Sequence, residues 1–444
     1  MTEQPNTEQA YCVIGAGPAG ICAAKHLSQW GLPFELVERE DDIGGTWNYG
    51  RSCCRVYETV HLLTSRKLTE YTDYPMPTNW PDFPNRAMLQ EYLRSYVDHF
   101  DLRRHMKFNT SVTSITPTKD EAWDVKFESG KVQRYRGVFV ATGHLWDPVY
   151  PAYSGRFSGT TLHAANYRSS DILRHRRVLI IGAGNSGCDI AVEAAQVGLR
   201  ALHSSRRTYY CMPKYFLGHP MDQIEEFLLR LRLPSRIPRL VDRAVNYAVS
   251  GRLVDPVSVE EPDRLALSRP DKFEQQIVFN DLLPHYIRHG DIVSKPRVES
   301  FDGDQVIFAD GTRESVDVVI YATGYKTSFP FIDEAILNMQ NGYPKLYLHI
   351  FPPAFENLFL IGLAHPNGGI WQMAEQQCRL VMSYLWAKSN KRKAAARFDS
   401  TKQRYLKRNA QSSPPPDSGM RYYIGVERFR YAGELSRLAR ELFA

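Results

Sequence analysis

Two glycine-rich hexapeptides carry the chemistry of this chain, Gly15-Ala16-Gly17-Pro18-Ala19-Gly20 and Gly182-Ala183-Gly184-Asn185-Ser186-Gly187. Each comes after a short apolar run, Tyr11-Cys12-Val13-Ile14 or Arg177-Val178-Leu179-Ile180-Ile181, and each opens a stretch of helical character. Strand, glycine turn and helix in that order suit a dinucleotide. The first glycine permits the tight turn, the second lets the backbone approach a pyrophosphate, and the third lets the helix pack close to the strand. The diphosphate then sits on unpaired N–H groups at the positive end of the helix dipole. One such match is weak. Two in the same context predict a protein that holds two dinucleotides and passes electrons between them.

The residues downstream of each motif separate the two ligands. After the first, a helix runs from Ile21 to Gly31, and Phe34-Glu35-Leu36-Val37 is the next strand, ended by Glu38. A carboxylate there accepts hydrogen bonds from a ribose diol and repels a 2′-phosphate, so FAD is expected. The second unit ends in Ser204-Ser205-Arg206-Arg207, with no acid. Ser205, Arg206 and Arg207 suit a 2′-phosphate, so NADPH is expected. The plain alternative is a solvated basic turn, with Arg207 pointing away even where Arg206 binds. Arg136–Gly143 and Asp317–Gly324 each read as a buried strand ending in Ala-Thr-Gly. Thr142 and Gly143 in the first, and Ala322, Thr323 and Gly324 in the second, leave room for a dinucleotide.

The elements that position these residues predict an α/β chain with two Rossmann-like domains, the NADPH domain inserted into the FAD domain. Residues 1–170 are expected to begin the FAD domain and 171–325 to form the NADPH domain, with a helical insertion at about 219–280. Residues 326–444 return to the FAD domain through Asn357-Leu358-Phe359-Leu360-Ile361-Gly362. Ile224, Phe227, Leu228 and Leu231 form an apolar stripe at helical spacing, which reads as packing on the protein's own body ahead of a membrane-surface face. The stretch from Ser389 to Met420 reads as a solvated connection or surface excursion.

At 444 residues the chain can hold two or three domains. The net charge of +6 is modest and the basic residues are dispersed without a nucleic-acid module, so no nucleic-acid partner is expected. No apolar run reaches transmembrane length, and the polar start Met1-Thr2-Glu3-Gln4 lacks a secretory core, so a cytoplasmic protein is expected. Seven cysteines lack disulfide or metal-ligand spacing, so reduced thiols and no metal are expected.

Ahead of the second hexapeptide stands Phe157-Ser158-Gly159-Thr160-Thr161-Leu162-His163-Ala164-Ala165-Asn166-Tyr167. Here the sequence resembles the class B flavin-containing monooxygenases, whose pattern is F-x-G-x-x-x-H-x-x-x-[YF]. The related Baeyer–Villiger enzymes usually end that pattern in Trp-Pro or Trp-Asp, and this chain has Tyr167-Arg168. The resemblance covers nearly the whole chain and includes Gly44-Gly45-Thr46-Trp47, both Ala-Thr-Gly turns and Glu375-Gln376.

The resemblance implies that NADPH reduces FAD and that reduced flavin captures O₂ as a C4a-hydroperoxide. The protein shields that species until an amine nitrogen or sulfide sulfur takes the distal oxygen. It places Gly45, Thr46 and Trp47 at the flavin, His163 on a hinge near the nicotinamide in a mainly structural role, and Asn185 near the nicotinamide end. Many relatives have an asparagine beside the flavin in H-x-N-T-S-K. This chain has His61-Leu62-Leu63-Thr64-Ser65-Arg66, so Leu63 replaces it. Members with relaxed preference accept NADH as well, and dimers are common. Tyr57, Leu63, His365, Asn367 and Trp371 are pocket candidates from their position beside flavin-contacting segments.

Two other enzyme readings and one non-enzymatic reading compete. A pyridine-nucleotide disulfide reductase needs a C-x₄-C pair near Gly45-Thr46-Trp47-Asn48-Tyr49, which is missing. A Baeyer–Villiger monooxygenase acting on ketones uses the same cofactors. A non-catalytic dinucleotide-binding redox sensor would bind FAD without oxidising NADPH.

Overall fold

The computed structural model describes residues 7–206, 209–230, 276–366, 368–409 and 423–444. Arg207, Asn367 and most of the expected helical insertion lie outside these residues. Contacts divide the chain into two compact units, one of residues 1–54, 66–147 and 326–444, the other of residues 55–65 and 148–325.

The apolar runs of the sequence form short strands buried on both faces, as parallel strands covered by helices must be. In the first unit the strand order is Leu358–Leu360, Gly137–Val140, Tyr11–Ile14, Phe34–Val37, Met106–Lys107, all parallel. In the second it is Thr160–His163, Val318–Tyr321, Arg177–Ile181, Arg200–Ser204, Ile292–Lys295, again all parallel. Both sheets obey one rule. The strand that feeds a glycine hexapeptide is central, its helix leads to the neighbour on one side, and the Ala-Thr-Gly strand lies on the other. The chain therefore reverses its direction of advance at the carboxyl end of that central strand, which opens the crevice where α/β sheets take their ligands.

The helices are Pro18–Gln29 and Asn185–Val197. Proline at the first turn of the former costs nothing, because that N–H has no intrahelical partner. The central strand of the second unit is fixed at its start by Asp317. That carboxylate accepts the Arg177 backbone N–H at 2.8 Å and its guanidinium at 2.6 Å. A three-stranded antiparallel sheet, Val112–Pro117, Trp123–Phe127 and Val132–Tyr135, adds Ile115, Trp123, Val125 and Tyr135 to the core of the first unit.

The division differs from the sequence expectation in two places. Residues 148–170 lie with the second unit, because Ser154–Phe157 pairs with Val298–Gly303 and Thr160–His163 with Val318–Tyr321. Residues 55–65 also lie there, tied by hydrogen bonds such as that of Tyr57 to Asp189. The stretch after Ser389 is not simply a solvated connection, since Lys393–Asn409 is a helix whose Ala395, Phe398 and Lys402 are buried at helical spacing. Of the apolar stripe, Phe227 lies on the helix Met221–Arg230 and is 63% exposed, so it does not pack as expected among the described residues. No helix among the described residues is long and apolar enough to cross a membrane.

Candidate functional site

In the first unit the hexapeptide makes its turn at Gly15, whose φ of +103° is closed to most side chains. A Cβ on Gly15 would lie 2.9 Å from the Ala141 carbonyl oxygen, so the turn and the Ala141-Thr142-Gly143 strand end approach as closely as backbone allows. Gly17 caps the helix that starts at Pro18, with Ala19 and Gly20 in its first turn. Glu38, at the end of the next strand, is buried and turns back on the hexapeptide. It accepts the Ala16 N–H at 2.6 Å and the Glu40 N–H at 3.0 Å. Burial raises its pKa and the two N–H donors oppose that rise.

Three more segments close on this turn. Gly45-Thr46-Trp47 forms one 3₁₀ turn, and the Gly44 N–H bonds the Ala16 carbonyl at 3.0 Å. Gly362 faces Ala19, and its N–H is held at 2.8 Å by Gln377, itself fixed by the Tyr431 hydroxyl at 2.8 Å. Thr142 Oγ1 is buried with no hydrogen-bond partner among the described residues. His144 is buried against the Gly362 backbone and edge-on to His365 at 5.6 Å, and burial pushes its pKa down to about 4. These groups fit a polar phosphate-bearing ligand. The turn offers N–H groups, the Thr142 hydroxyl is left for a ligand to satisfy, and Glu38 is placed for a diol.

The second unit repeats the plan with a different end. Gly182 has a φ of +114°, and the Gly187 Cα lies so close to the Gly182 carbonyl that a Cβ would overlap it. Gly184 caps the helix begun by Asn185 and Ser186. Asn185 Oδ1 is buried without a partner among the described residues, again a group that a ligand would satisfy. At the end of the next strand the Ser205 N–H bonds the Lys295 carbonyl at 3.3 Å, and Arg206 is exposed beside Tyr153. Ala322, Thr323 and Gly324 flank the turn, the Ala322 carbonyl lying over Gly182.

His163 ends the edge strand of this sheet and is buried. Its Nδ1 accepts the Ala165 N–H at 3.0 Å, its ring lies 5.2 Å from Tyr150 and 5.5 Å from Tyr325, and it faces the Gly324 backbone. Burial pushes its pKa down to about 4, so at neutral pH it is an uncharged cap.

Leu63 lies in the segment 55–65 of the second unit and is half-buried. Tyr57 is buried there, its hydroxyl bonded to Asp189. Trp371, in the first unit, stacks on Tyr71 and Tyr92.

Three contributors carry no motif in the sequence. His203 holds the second turn, bonding the Gly182 carbonyl at 3.1 Å through Nε2 and Tyr209 at 3.2 Å through Nδ1. Its pKa is about 4 through burial, so a neutral ring donates to the carbonyl and accepts from the phenol. Gln377 likewise holds backbone far away in sequence, the Gly362 N–H, and the Asp189–Glu193 pair accepts from the distant side chains of Tyr57 and Thr59. For the acid pair the signal was their four-residue spacing in the small-residue and apolar helix Asn185–Val197; His203 and Gln377 had none.

A family model described as flavin-binding monooxygenase-like matches residues 8–399. Dimethylaniline monooxygenase [N-oxide-forming] 2 of Macaca mulatta is 33% identical over 395 residues, covering 83% of this chain and 72% of that one. S-allyl-L-cysteine S-oxygenase from Allium sativum superposes with a TM-score of 0.68 at 19% identity, covering 97% of this chain and 88% of that one. Cyclohexanone monooxygenase from Rhodococcus sp. Phi1 bound to NADP+ gives 0.69 at 19%, covering 98% and 97%. The last two likenesses establish the fold. The family match spans most of the chain and includes both glycine turns, so the protein belongs to the flavin-binding monooxygenases and is a flavin monooxygenase.

Proposed function

We propose that the first unit binds FAD and the second NADPH, and that the enzyme uses O₂ to oxygenate soft nucleophiles, amine nitrogens or sulfide sulfurs. The observation that carries the cofactor assignment is the contrast between the two strand ends. Buried Glu38 faces the first turn, while Ser205 and exposed Arg206 come after the second. Arg207 has the same role by sequence. The substrate class rests on the N-oxide-forming relative and the S-oxygenase neighbour.

FAD, where bound, would supply the redox chemistry, with NADPH as reductant and O₂ as oxidant. The chain binds, orients and excludes water. Gly15, Gly17 and Gly20 admit the FAD pyrophosphate, with Pro18 and Ala19 in the helix turn over it, and Glu38 accepts the ribose hydroxyls. Gly45, Thr46, Trp47, Thr142, Gly143 and Gly362 line the rest. Gly182, Gly184, Ser186 and Gly187 take the NADPH pyrophosphate, with Ala322, Thr323 and Gly324 alongside. Asn185 Oδ1, buried and unpaired among the described residues, would accept from an amide donor of the bound nucleotide, and neutral His163 holds the adjoining backbone without moving a proton.

Arg206→Ala is expected to lower kcat/KM for NADPH by about ten- to a hundredfold, the worth of a charge-assisted hydrogen bond, and to leave NADH almost unaffected. An unchanged NADPH/NADH ratio removes its assigned role.

Leu63 stands where relatives place an amide. Leu63→Asn is expected to lower the fraction of NADPH oxidation that ends as hydrogen peroxide by about two- to tenfold, the range of one added hydrogen bond. Oxygenated product and peroxide, measured together with a sulfide and a tertiary amine, test the function and this prediction at once. Ketone oxygenation is a second reading, favoured by the likeness to cyclohexanone monooxygenase. Lactone formed from cyclohexanone at a rate matching the sulfide would establish it.

A further inference from the structure

The segment 55–65 is fastened to the second unit at five points. The Tyr57 hydroxyl donates to Asp189 Oδ2 at 2.9 Å, and the Thr59 hydroxyl donates to Glu193 Oε1. The Glu58 N–H bonds the Arg168 carbonyl at 2.8 Å. Lys214 Nζ donates to the Leu62 carbonyl at 3.2 Å, and the Ser65 N–H donates to Asp222 Oδ2 at 2.6 Å. Asp189 and Glu193 are themselves held. Asn280 Nδ2 donates to Asp189 Oδ1 at 2.6 Å, and the Tyr167 hydroxyl donates to Glu193.

Asn185, Asp189 and Glu193 lie at i, i+4 and i+8, on one face of their helix. Tyr57 and Thr59 run along that face away from Asn185, and the Val60 N–H then bonds the Tyr57 carbonyl in a turn. Lys214 catches the chain on its return. Its own N–H is fixed on Asp281 at 3.1 Å, next to the Asn280 that holds Asp189. Leu62 is thus tied through Lys214 to the same loop that carries Asn280, the partner of Asp189, and Leu63 comes next in the chain.

We propose that Asp189 and Glu193 are positioning residues for the oxygen-handling step: they hold the strip 57–65 so that Leu63 stays in fixed register with Asn185. This rests on the reading of Leu63 and Asn185 as residues of the oxygenation site. Apolar packing alone would hold such a strip loosely, because Thr59 and His61 are exposed. Part-buried hydrogen bonds to the helix and its flanking loops fix it in one register.

The test uses the FAD-loaded enzyme and two readouts. Hydrogen exchange of the 57–65 peptide is expected to rise about ten- to a hundredfold in Asp189→Ala, the worth of leaving buried hydrogen-bonding groups unpaired. The peroxide fraction is expected to rise several-fold, while FAD content and the anaerobic rate of flavin reduction by NADPH stay near wild type and the thermal midpoint falls by only a few degrees. Asp189→Asn keeps an acceptor for the Tyr57 hydroxyl but sets an NH₂ against Asn280 Nδ2, and is expected to recover part of both losses. Tyr57→Phe and Lys214→Met, which cut the strip at its two ends, should reproduce them in milder form. Faster exchange with an unchanged peroxide fraction overturns the proposal and leaves the monooxygenase reading standing. Unchanged exchange in all four variants overturns it too. A wild-type enzyme that gives no oxygenated product with either a sulfide or an amine sinks the functional reading instead.

Discussion

Gly187→Ala is expected to cut NADPH oxidation by about a hundredfold or more while FAD stays bound. The added Cβ would overlap the Gly182 carbonyl oxygen and crowd the Ala322 side chain, both parts of the turn that takes the pyrophosphate. A flexible side chain could move aside, but a carbonyl held in the turn cannot move without opening it. Overpacking of this kind costs about 3 kcal/mol, and the cost falls directly on the nucleotide turn. Gly17 is the contrasting case, because a Cβ there meets only Gly45 backbone at 3.6 Å. Gly17→Ala should therefore leave apoprotein stability near wild type and weaken FAD retention. Cofactor content, NADPH titration and the thermal midpoint of each variant decide both points. Tight NADPH binding by Gly187→Ala would show that the second turn is not the nucleotide site.

The second large effect is loss of stability in mild acid. His144 and His349 in the first unit, and His163 and His203 in the second, have pKa values pushed down to about 4 by burial. A histidine of depressed folded pKa contributes stability that is complete above its unfolded value of about 6.5 and is lost as pH falls toward the folded value. At pH 5 each of the four has lost on the order of 2 kcal/mol relative to neutral pH. Asp189, Glu193 and Glu38 act the other way, since burial raises their pKa values and acidification relieves part of that cost. The net expectation is a fall in thermal midpoint on the order of 10 °C between pH 7 and pH 5, shared by both units because each holds two of the histidines. Calorimetry at pH 7, 6 and 5 checks this. A flat midpoint across that range would mean that the four rings are protonated in the folded protein.

Much of the fold was legible because the relevant signals are local. Four or five apolar residues, a glycine turn and a helix specify a Rossmann half wherever they occur. The runs 11–14, 34–37, 177–181 and 358–360 accordingly appear as parallel strands. What was not legible depends on contacts far apart in sequence. Nothing near residue 57 says that its phenol meets an acid 132 residues later, so the segment 55–65 read as part of its sequence neighbourhood. The helix Lys393–Asn409 was missed for another reason. Its charged residues are dense, and among those whose burial is described only Ala395, Phe398 and Lys402 are fully buried, so composition outweighed periodicity. His203 was invisible because a histidine inside an apolar strand gives no sign of the carbonyl it will reach. The site divides the same way: the glycines and Glu38 stand in motifs, while the groups that steady them are scattered.

The strap of residues 55–65 also sets a timetable for the nascent chain. Its partners lie at Arg168, Asp189, Glu193, Lys214 and Asp222, so none exists when the strap leaves the ribosome. At about 5–20 residues per second, roughly ten to thirty seconds pass between synthesis of Ser65 and of Asp222. Through that interval Val56, Tyr57 and Leu62, all buried in the finished protein, are exposed on an unattached loop. The strap can close fully only once Asp222 is made, and the strands Ile292–Lys295 and Val318–Tyr321 that complete its sheet follow later still, so a stretch of apolar chain must wait on the slowest-arriving part of its own unit.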